Sequence, residues 1–332
     1  MKKIGFITSP LNSGHAVRGV GFYLSRLLPQ LKSNAPSFGF EILEISDYLG
    51  FSNLDLELIH YPHFDLFTHS LPFYKNTPTV VTIHDVIPLE FPQAYPKGLR
   101  GWVSLQLQKL SLSDVDRVIT DSFASVRAIK KHLRVPDEKL KLVYLAADPI
   151  YKQVSKPKNK FDLPKKFVLY VGDVNYNKNI PNLISACKIT KYPLVMVGKQ
   201  SKDMENMNFS HPELVHLKDV EFSGVIRLGF VSDEDLVDIY NLATVYCQPS
   251  FSEGFGLPVL EALACDTPVA CSNTSSLPEL AGDSASYFNP HDVTSISQAL
   301  LKAKSHHGPT QAAKFSWEKA AQQTLQVYSE II

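Results

Sequence analysis

An α/β fold wound into two domains is predicted by three features of this sequence. Its 332 residues are many for one compact core, at roughly 100–200 residues per domain. Short apolar runs alternate with longer stretches of helical spacing along the whole chain, the signature of parallel sheets built from strand-helix-strand units. The alternation lapses at Asp148–Lys166, where DPIYKQVSKPKNKFDLPKK carries three prolines and six lysines and little apolar periodicity. That stretch reads as a linker. The expected domains are therefore 1–150 and 151–314, followed by a terminal helix within 315–332.

In the first half, Lys3–Thr8, Thr79–Ile83 and Arg117–Thr120 read as buried strands, and Val20–Leu31 and Leu99–Leu112 carry helical spacing. Tyr61–Leu71 reads as irregular loop. The second half restarts with KFVLYVG, ending at Gly172, and continues through strands at Leu194–Val197, Val225–Leu228, Val245–Cys247 and Val269–Cys271. Helices are expected near Asn179–Lys188, Asp233–Leu242 and Leu257–Cys265 between them. Ser316 is placed to cap a last helix, Trp317–Tyr328. Two such domains facing one another leave a cleft, and ligands of these sheets bind at the carboxyl ends of strands.

Composition narrows the function classes. The 33 Lys and Arg balance 33 Asp and Glu, which argues against a globally basic nucleic-acid binder. With 44% hydrophobic and 20% charged residues, the chain is expected to fold rather than to be disordered. Cys187, Cys247, Cys265 and Cys271 have neither zinc-ligand nor disulfide-framework spacing and read as reduced thiols. No signal-peptide core or membrane span is apparent. A cytoplasmic protein is expected, at most peripheral at the inner face of a membrane.

The most informative stretch is Gln248 to Asn273, QPSFSEGFGLPVLEALACDTPVACSN. A strand ends near Gln248, a loop holding Gly254 and Gly256 follows, and Pro258 suits the first turn of a helix. Free amides of Gly254, Phe255, Gly256 and Leu257, with the helix dipole, would make a site for a phosphate or diphosphate. Glu253 lies in the loop, and Glu261 is expected in the first helical turn. Two carboxylates beside an anion site are costly unless hydroxyl groups donate to each, and a sugar and a ribose supply such hydroxyls. Taken alone, the E-x7-E spacing also describes a surface loop followed by an ordinary helix glutamate.

With P-S-F-x-E-G-F-G-L-P-x-L-E-A intact around it, this segment resembles the retaining family 4 glycosyltransferases. The resemblance implies that Glu253 contacts a donor sugar and Glu261 the nucleotide ribose. YVGDVNYNKNI, Tyr170 to Ile180, is similar to the family's strand-loop segment, which gives Lys178 the donor diphosphate; the alternative is a solvated lysine. Members often add an arginine in this loop, where this chain has Asp173 and Asn177, so Lys178 is the loop's one cation and Lys199 is a candidate helper. VVTIHDVIPLEFP matches the family's active-site histidine with His84, implying contact with the donor sugar and its reacting region rather than nucleophilic attack. Without that match, a histidine beside an aspartate is usually structural, and Asp85 either braces the turn or touches substrate. Further donor contacts are implied at Gly172, Gly198 and Val231.

NSGHAVRGVGFYLSRLL places Gly19 and Gly21 where the first loop enters a helix. It lacks the small residue of a dinucleotide fingerprint, having Leu24 there. The resemblance implies close backbone approach to diphosphate or acceptor; simple helix packing is the alternative. Asp114-Val115-Asp116 spells a metal-binding D-x-D string but lies where packing is expected. The histidines at 60, 63, 69, 306 and 307 lack metal-ligand spacing. From Tyr95 to Lys141 there are ten Lys and Arg against five Asp and Glu. Arg127, Lys130, Lys131 and Arg134 make either a solvated helix face or a contact with anionic lipid.

The resemblance covers almost the whole chain, through SNTSSLPELAGDSASYFNP and FSWEKAA. It implies the GT-B fold, two Rossmann-like doubly wound domains facing across a cleft, with the terminal helix crossing back onto the first domain. The implied reaction moves a hexosyl group from a nucleotide-diphosphate sugar to a saccharide or polyprenyl-linked acceptor, with retention, no cofactor and no metal. The family's mannosyl-transferring members favour GDP-mannose; a UDP-glucose-type donor stays open. A nucleotide-sugar epimerase or phosphorylase, and a nucleotide-sugar-binding protein without transfer activity, are the competing readings.

Overall fold

The computed structural model describes residues 1–9, 19–46, 54–202 and 207–332. In chain order the strands are β1 (Lys2–Ile7), β2 (Phe40–Ile45), β3 (Leu58–Tyr61), β4 (Thr79–Thr82), β5 (Arg117–Thr120), β6 (Leu140–Leu142), β7 (Val168–Val171), β8 (Leu194–Val197), β9 (Val225–Gly229), β10 (Val245–Gln248), β11 (Val269–Ser272) and β12 (Ala285–Phe288). The helices are α1 (Gly19–Asn34), α2 (Ile87–Glu90), α3 (Gly98–Ser113), α4 (Phe123–Leu133), α5 (Ile180–Thr190), α6 (Lys199–Lys202), α7 (Asp233–Leu242), α8 (Leu257–Ala264), α9 (Leu277–Ala281), α10 (Val293–Lys302), α11 (Gly308–Ala312) and α12 (Trp317–Ser329).

They form two units. Met1–Glu90, Lys97–Leu145 and Phe315–Ile332 make the first; Phe91–Pro96 and Ala146–Lys314 make the second. Each holds one six-stranded sheet, in the order β2-β1-β3-β4-β5-β6 and β12-β11-β10-β7-β8-β9, with every pairing parallel. Read from its first strand, the second sheet has the 3-2-1-4-5-6 order of the Rossmann fold. The central strands β4, β8, β10 and β11 are buried at every position, as strands covered on both faces must be. That is why their continuous apolar runs are readable in the sequence.

In the first unit, Ile7, Val81 and Val118 of the sheet pack with Leu105, Leu112 and Ile129 of α3 and α4. In the second, Val168, Leu194 and Met196 pack with Leu183 and Cys187 of α5 and with Ile296 and Leu300 of α10. All four cysteines are buried free thiols. Ser316 caps α12, its hydroxyl accepting the Lys319 N–H at 3.1 Å. Tyr328 of α12 is hydrogen bonded to His60 Nδ1 at 2.6 Å, and His60 Nε2 to Thr82 Oγ1 at 2.8 Å. His60 is thus a core histidine joining α12 to β3 and β4, and its burial pulls the imidazole pKa down to about 3.

Two expectations need correction. The segment 148–166 has no strand or α-helix, yet it is not a loose linker. It is fastened to α7: Val154 N–H donates to Asn241 Oδ1 at 2.8 Å, Lys160 pairs with Asp235 at 2.7 Å, and Tyr151 OH donates to Asp233 at 3.3 Å. Strands β2, β3, β6 and β12 were not singled out by the apolar pattern. Three of them are sheet edges with partly exposed residues, and β3 carries the buried His60 within its run.

Candidate active site

In the second sheet β7 lies beside β10. The chain runs outward from β7 through β8 on one side and from β10 through β11 on the other, so the strand order reverses between them. At such a switch point the connecting helices diverge and leave a crevice outside the strand ends. Lys178 is in the loop after β7, and Glu253 is in the loop after β10.

The structure brings these two together. Lys178 Nζ donates to both carboxylate oxygens of Glu253, at 2.7 and 2.8 Å. Oε1 also accepts from Gln248 Nε2 at 2.7 Å and Ser250 Oγ at 2.6 Å, while the Glu253 N–H donates to Ser275 Oγ at 2.9 Å. The carboxylate is therefore buried yet well supplied with donors, the condition under which a buried charge is tolerated. Among the described residues Oε2 accepts from the lysine alone, leaving it acceptor capacity for a hydroxyl.

Asn177 explains the departure from the family's arginine. Its backbone and side chain are both committed: Nδ2 donates to Ser252 O at 3.0 Å, its carbonyl accepts the Phe251 N–H at 2.8 Å, and Oδ1 accepts from Tyr95 OH at 2.7 Å. This buried amide joins the Lys178 loop to the Glu253 loop, a task for which arginine has no acceptor. The next residue, Asn179, takes the left-handed conformation at φ +56 and donates to Pro249 O and Pro290 O, at 3.0 and 2.8 Å. Phe91 packs on Tyr176 at 5.6 Å between ring centres, so the 91–96 segment braces the lysine turn from outside it.

Gly256 begins α8 at φ +118, where a Cβ would stand 2.9 Å from Leu277 Cδ2. No side chain caps this helix start. Gly254 and Phe255 carry interactions of their own, and the Phe255 carbonyl accepts from Ser276 Oγ. Glu261 is the fifth helical residue and lies in the second turn, not the first. It is buried, with Tyr240 OH donating to Oε2 at 2.8 Å, and burial lifts its pKa to about 7. Gly198 needs no ligand to explain it, since a Cβ there would meet the Gly172 carbonyl at 2.3 Å. Val231 is buried just beyond β9. Lys199 opens the short α6.

In the first unit His84 follows β4, and its Nδ1 is 2.6 Å from Asp121 Oδ2 beyond β5; Nε2 is 3.2 Å from Pro62 O. Burial opposes charge on the imidazole, but the Asp121 carboxylate, joined by Asp85 and the Pro62 carbonyl, outweighs it and the pKa is raised. Asp121, absent from the motif reading, has its other oxygen buried without a hydrogen-bond partner among the described residues. Its signal was a carboxylate directly after the predicted strand Arg117–Thr120. Asp85 braces the turn, Oδ1 accepting the Ile87 N–H at 3.0 Å. Gly19 opens α1 and Gly21 is buried within it; the loop at 12–18 before them lies outside the described residues. Asp116 accepts the Thr79 N–H at 2.7 Å, a packing role. Among the described residues no three His, Cys, Asp or Glu side chains gather as metal ligands.

The family model described as Glycosyl transferases group 1 matches residues 152–322, and that described as Glycosyltransferase Family 4 matches residues 10–150. O-antigen chain mannosyltransferase B of Escherichia coli is 32% identical over 289 residues, which cover 80% of this chain and 74% of that protein. The serotype-specific mannosyltransferase WbdA of Escherichia coli is 31% identical over 300 residues, 81% of this chain but 36% of WbdA. Two solved structures share the fold at 18% identity. Sucrose-phosphate synthase from Thermosynechococcus elongatus superposes with a TM-score of 0.73 over 99% of each chain. Anabaena HepE, solved with UDP and glucose, superposes at 0.70 over 99% of this chain and all of that one (100%). Two Rossmann-like units, both family models and the mannosyltransferase relatives agree: the chain is a GT-B hexosyltransferase and belongs to glycosyltransferase family 4.

Proposed function

We propose that this glycosyltransferase moves a mannosyl group from GDP-mannose to a hydroxyl of a saccharide acceptor carried on a polyprenyl lipid, with retention at the anomeric carbon and without metal. The observation that carries the reading is the Lys178–Glu253 pair at the switch point of the second sheet. The names of the E. coli relatives support mannose.

Lys178 meets the diphosphate, its charge offsetting what develops on the leaving group. The start of α8 adds its dipole. Glu253 Oε2 accepts a sugar hydroxyl, and Glu261 accepts from the ribose. Gly172, Gly198 and Val231 line the donor with backbone, and Gly19 and Gly21 serve the diphosphate or acceptor. His84 contacts the sugar's reacting region, with Asp121 favouring its protonated form. None of these groups is offered as a covalent nucleophile, in keeping with departure and attack on one face through an oxocarbenium-like state. The protein works in the cytoplasm at the inner face of the membrane, where the basic face of α4, Arg127, Lys130 and Lys131 with Arg134, faces anionic lipid.

The test is acceptor-dependent GDP release from GDP-mannose, with the anomeric configuration of the product read by NMR and the assay repeated in chelator. An inverted product or loss of turnover on chelation would overturn the corresponding part. UDP-glucose is the second donor to assay, because HepE, which shares the fold, was solved with it. Donor binding with no acceptor-dependent release would leave a binding protein without transfer.

A further inference from the structure

Residues 249 to 256, between β10 and α8, contain no strand or helix, so their backbone polar groups must find partners elsewhere. β10 lies between β7 and β11 in the sheet, and the loops that follow those two strands supply the partners. On the β7 side, Asn179 Nδ2 donates to Pro249 O at 3.0 Å and Asn177 Nδ2 to Ser252 O at 3.0 Å. On the β11 side, Thr274 Oγ1 donates to Phe251 O at 3.1 Å, and Ser276 Oγ donates to Glu253 O at 3.1 Å and also to Phe255 O. The carbonyls at 249, 251, 252, 253 and 255 are thus held by side chains, and the loop that carries Glu253 is suspended between two rails.

Ser275 works differently from the hydroxyls on either side of it. Thr274 and Ser276 donate to carbonyls, whereas Ser275 Oγ accepts the Glu253 N–H at 2.9 Å. It does so from the left-handed region, at φ +53, a conformation that is costly for a residue with a Cβ. Glycine would relieve that strain but has no hydroxyl. A strained backbone kept beside a reactive loop marks a residue whose side chain is needed there.

The Glu253 carboxylate is tied at its tip by Lys178, Gln248 and Ser250. Ser275 ties the same residue at its root. With both ends held, Oε2 keeps one direction, and misplacing a reacting group by about 1 Å can cost about 100-fold in rate.

We propose that Ser275 is a positioning residue for Glu253, gripping its backbone so that Oε2 is aimed at the donor sugar, and that the left-handed backbone at Ser275 is kept for that grip. Ser275 acts only through Glu253, so its role rests on the reading of that glutamate as the sugar contact.

The experiment compares Ser275→Gly with Ser275→Ala in the full chain. Both remove the hydroxyl and only glycine relieves the backbone, so the glycine variant should melt about 2–4 °C above the alanine variant. Turnover of GDP-mannose should nevertheless fall in both, by about 10-fold in kcat, while calorimetry shows GDP affinity unchanged. Hydrogen exchange at the Glu253 amide should quicken by about 10-fold in both. Turnover that tracks the melting temperature, lost with alanine and kept with glycine, would make Ser275 merely structural and overturn the proposal. Parallel losses of kcat and GDP affinity would overturn it as well, by showing a collapsed loop, and so would unchanged exchange at the Glu253 amide. UDP-glucose is assayed alongside, so that a wrong donor and an idle Ser275 give different results. Absence of transfer by the wild type would count against the proposed function, whereas the exchange rate is read without any donor and decides for or against the grip of Ser275 by itself.

Discussion

Each unit sets an ion pair beyond the carboxyl ends of adjacent strands, but the two pairs are built differently. In the second unit Lys178 and Glu253 straddle the point where the strand order reverses, and the carboxylate takes four hydrogen bonds from three side chains. In the first unit the reversal falls between β1 and β3, while His84 and Asp121 follow β4 and β5, away from it. Their bond is single, and one Asp121 oxygen has no partner among the described residues. The contrast separates two kinds of site: one preorganised by several donors at the point where the strand order reverses, and one whose charge is favoured chiefly by the Asp121 carboxylate.

The largest expected effect breaks the second pair. Lys178→Ala should lose about 2–4 kcal/mol of transition-state stabilisation, read as a fall in kcat with the variant still folded; wild-type turnover would remove Lys178 from the reaction. Next comes the amide that holds both loops. Asn177→Ala deletes two buried side-chain hydrogen bonds and should cost about 2 kcal/mol of stability, measured by denaturant unfolding, and unchanged stability would make the junction incidental.

Asp121→Asn sharpens the other half of the comparison. His84 has a raised pKa, so the pair's contribution is fully present below the ordinary histidine range and is lost as pH rises through the raised value. The variant should therefore be less stable than wild type by roughly 1–2 kcal/mol in mild acid, with the gap closing in alkali. NMR titration of the His84 ring should shift to lower pH; an unmoved titration would deny Asp121 its role.

The smallest effect is a change of slope. Glu261, with a pKa lifted to about 7, weighs against folding increasingly as pH rises from the ordinary carboxylate range through about 7, because the unfolded chain ionises first. Nucleotide binding that uses the ionised carboxylate should strengthen over the approach to neutrality, by about tenfold per pH unit at most. Calorimetry with GDP should show that slope in wild type and a flat response in Glu261→Gln. Equal slopes would remove Glu261 from the ribose.

Legibility in the sequence followed locality. Buried central strands such as Leu194–Val197 and capped helices such as Trp317–Ser329 announce themselves in short windows, and so do Lys178 and Glu253, which stand in loops with distinctive neighbours. Edge strands β2, β6 and β12 do not, because one covered edge and partial exposure leave no continuous apolar run. Asn177 looked like a missing cation because its partners Tyr95 and Ser252 lie 82 and 75 residues away. The helical spacing of Leu99–Leu112 shows that apolar residues recur and not whether anything covers them, and Leu99, Trp102 and Leu110 of α3 are exposed.

By itself, then, the sequence determined the α/β class, eight of the strands, and the loops that hold Lys178 and Glu253, all of which follow from short-range pattern and turn composition. Tertiary structure decided which strands became neighbours, and with them the meeting of Lys178 with Glu253 and of His84 with Asp121. It also assigned Phe91–Pro96 to the second unit and left the outer face of α3 exposed. Parallel strands are joined through crossovers rather than hairpins, so the order in which they pair, and every contact that depends on it, is settled by packing between residues far apart in the chain.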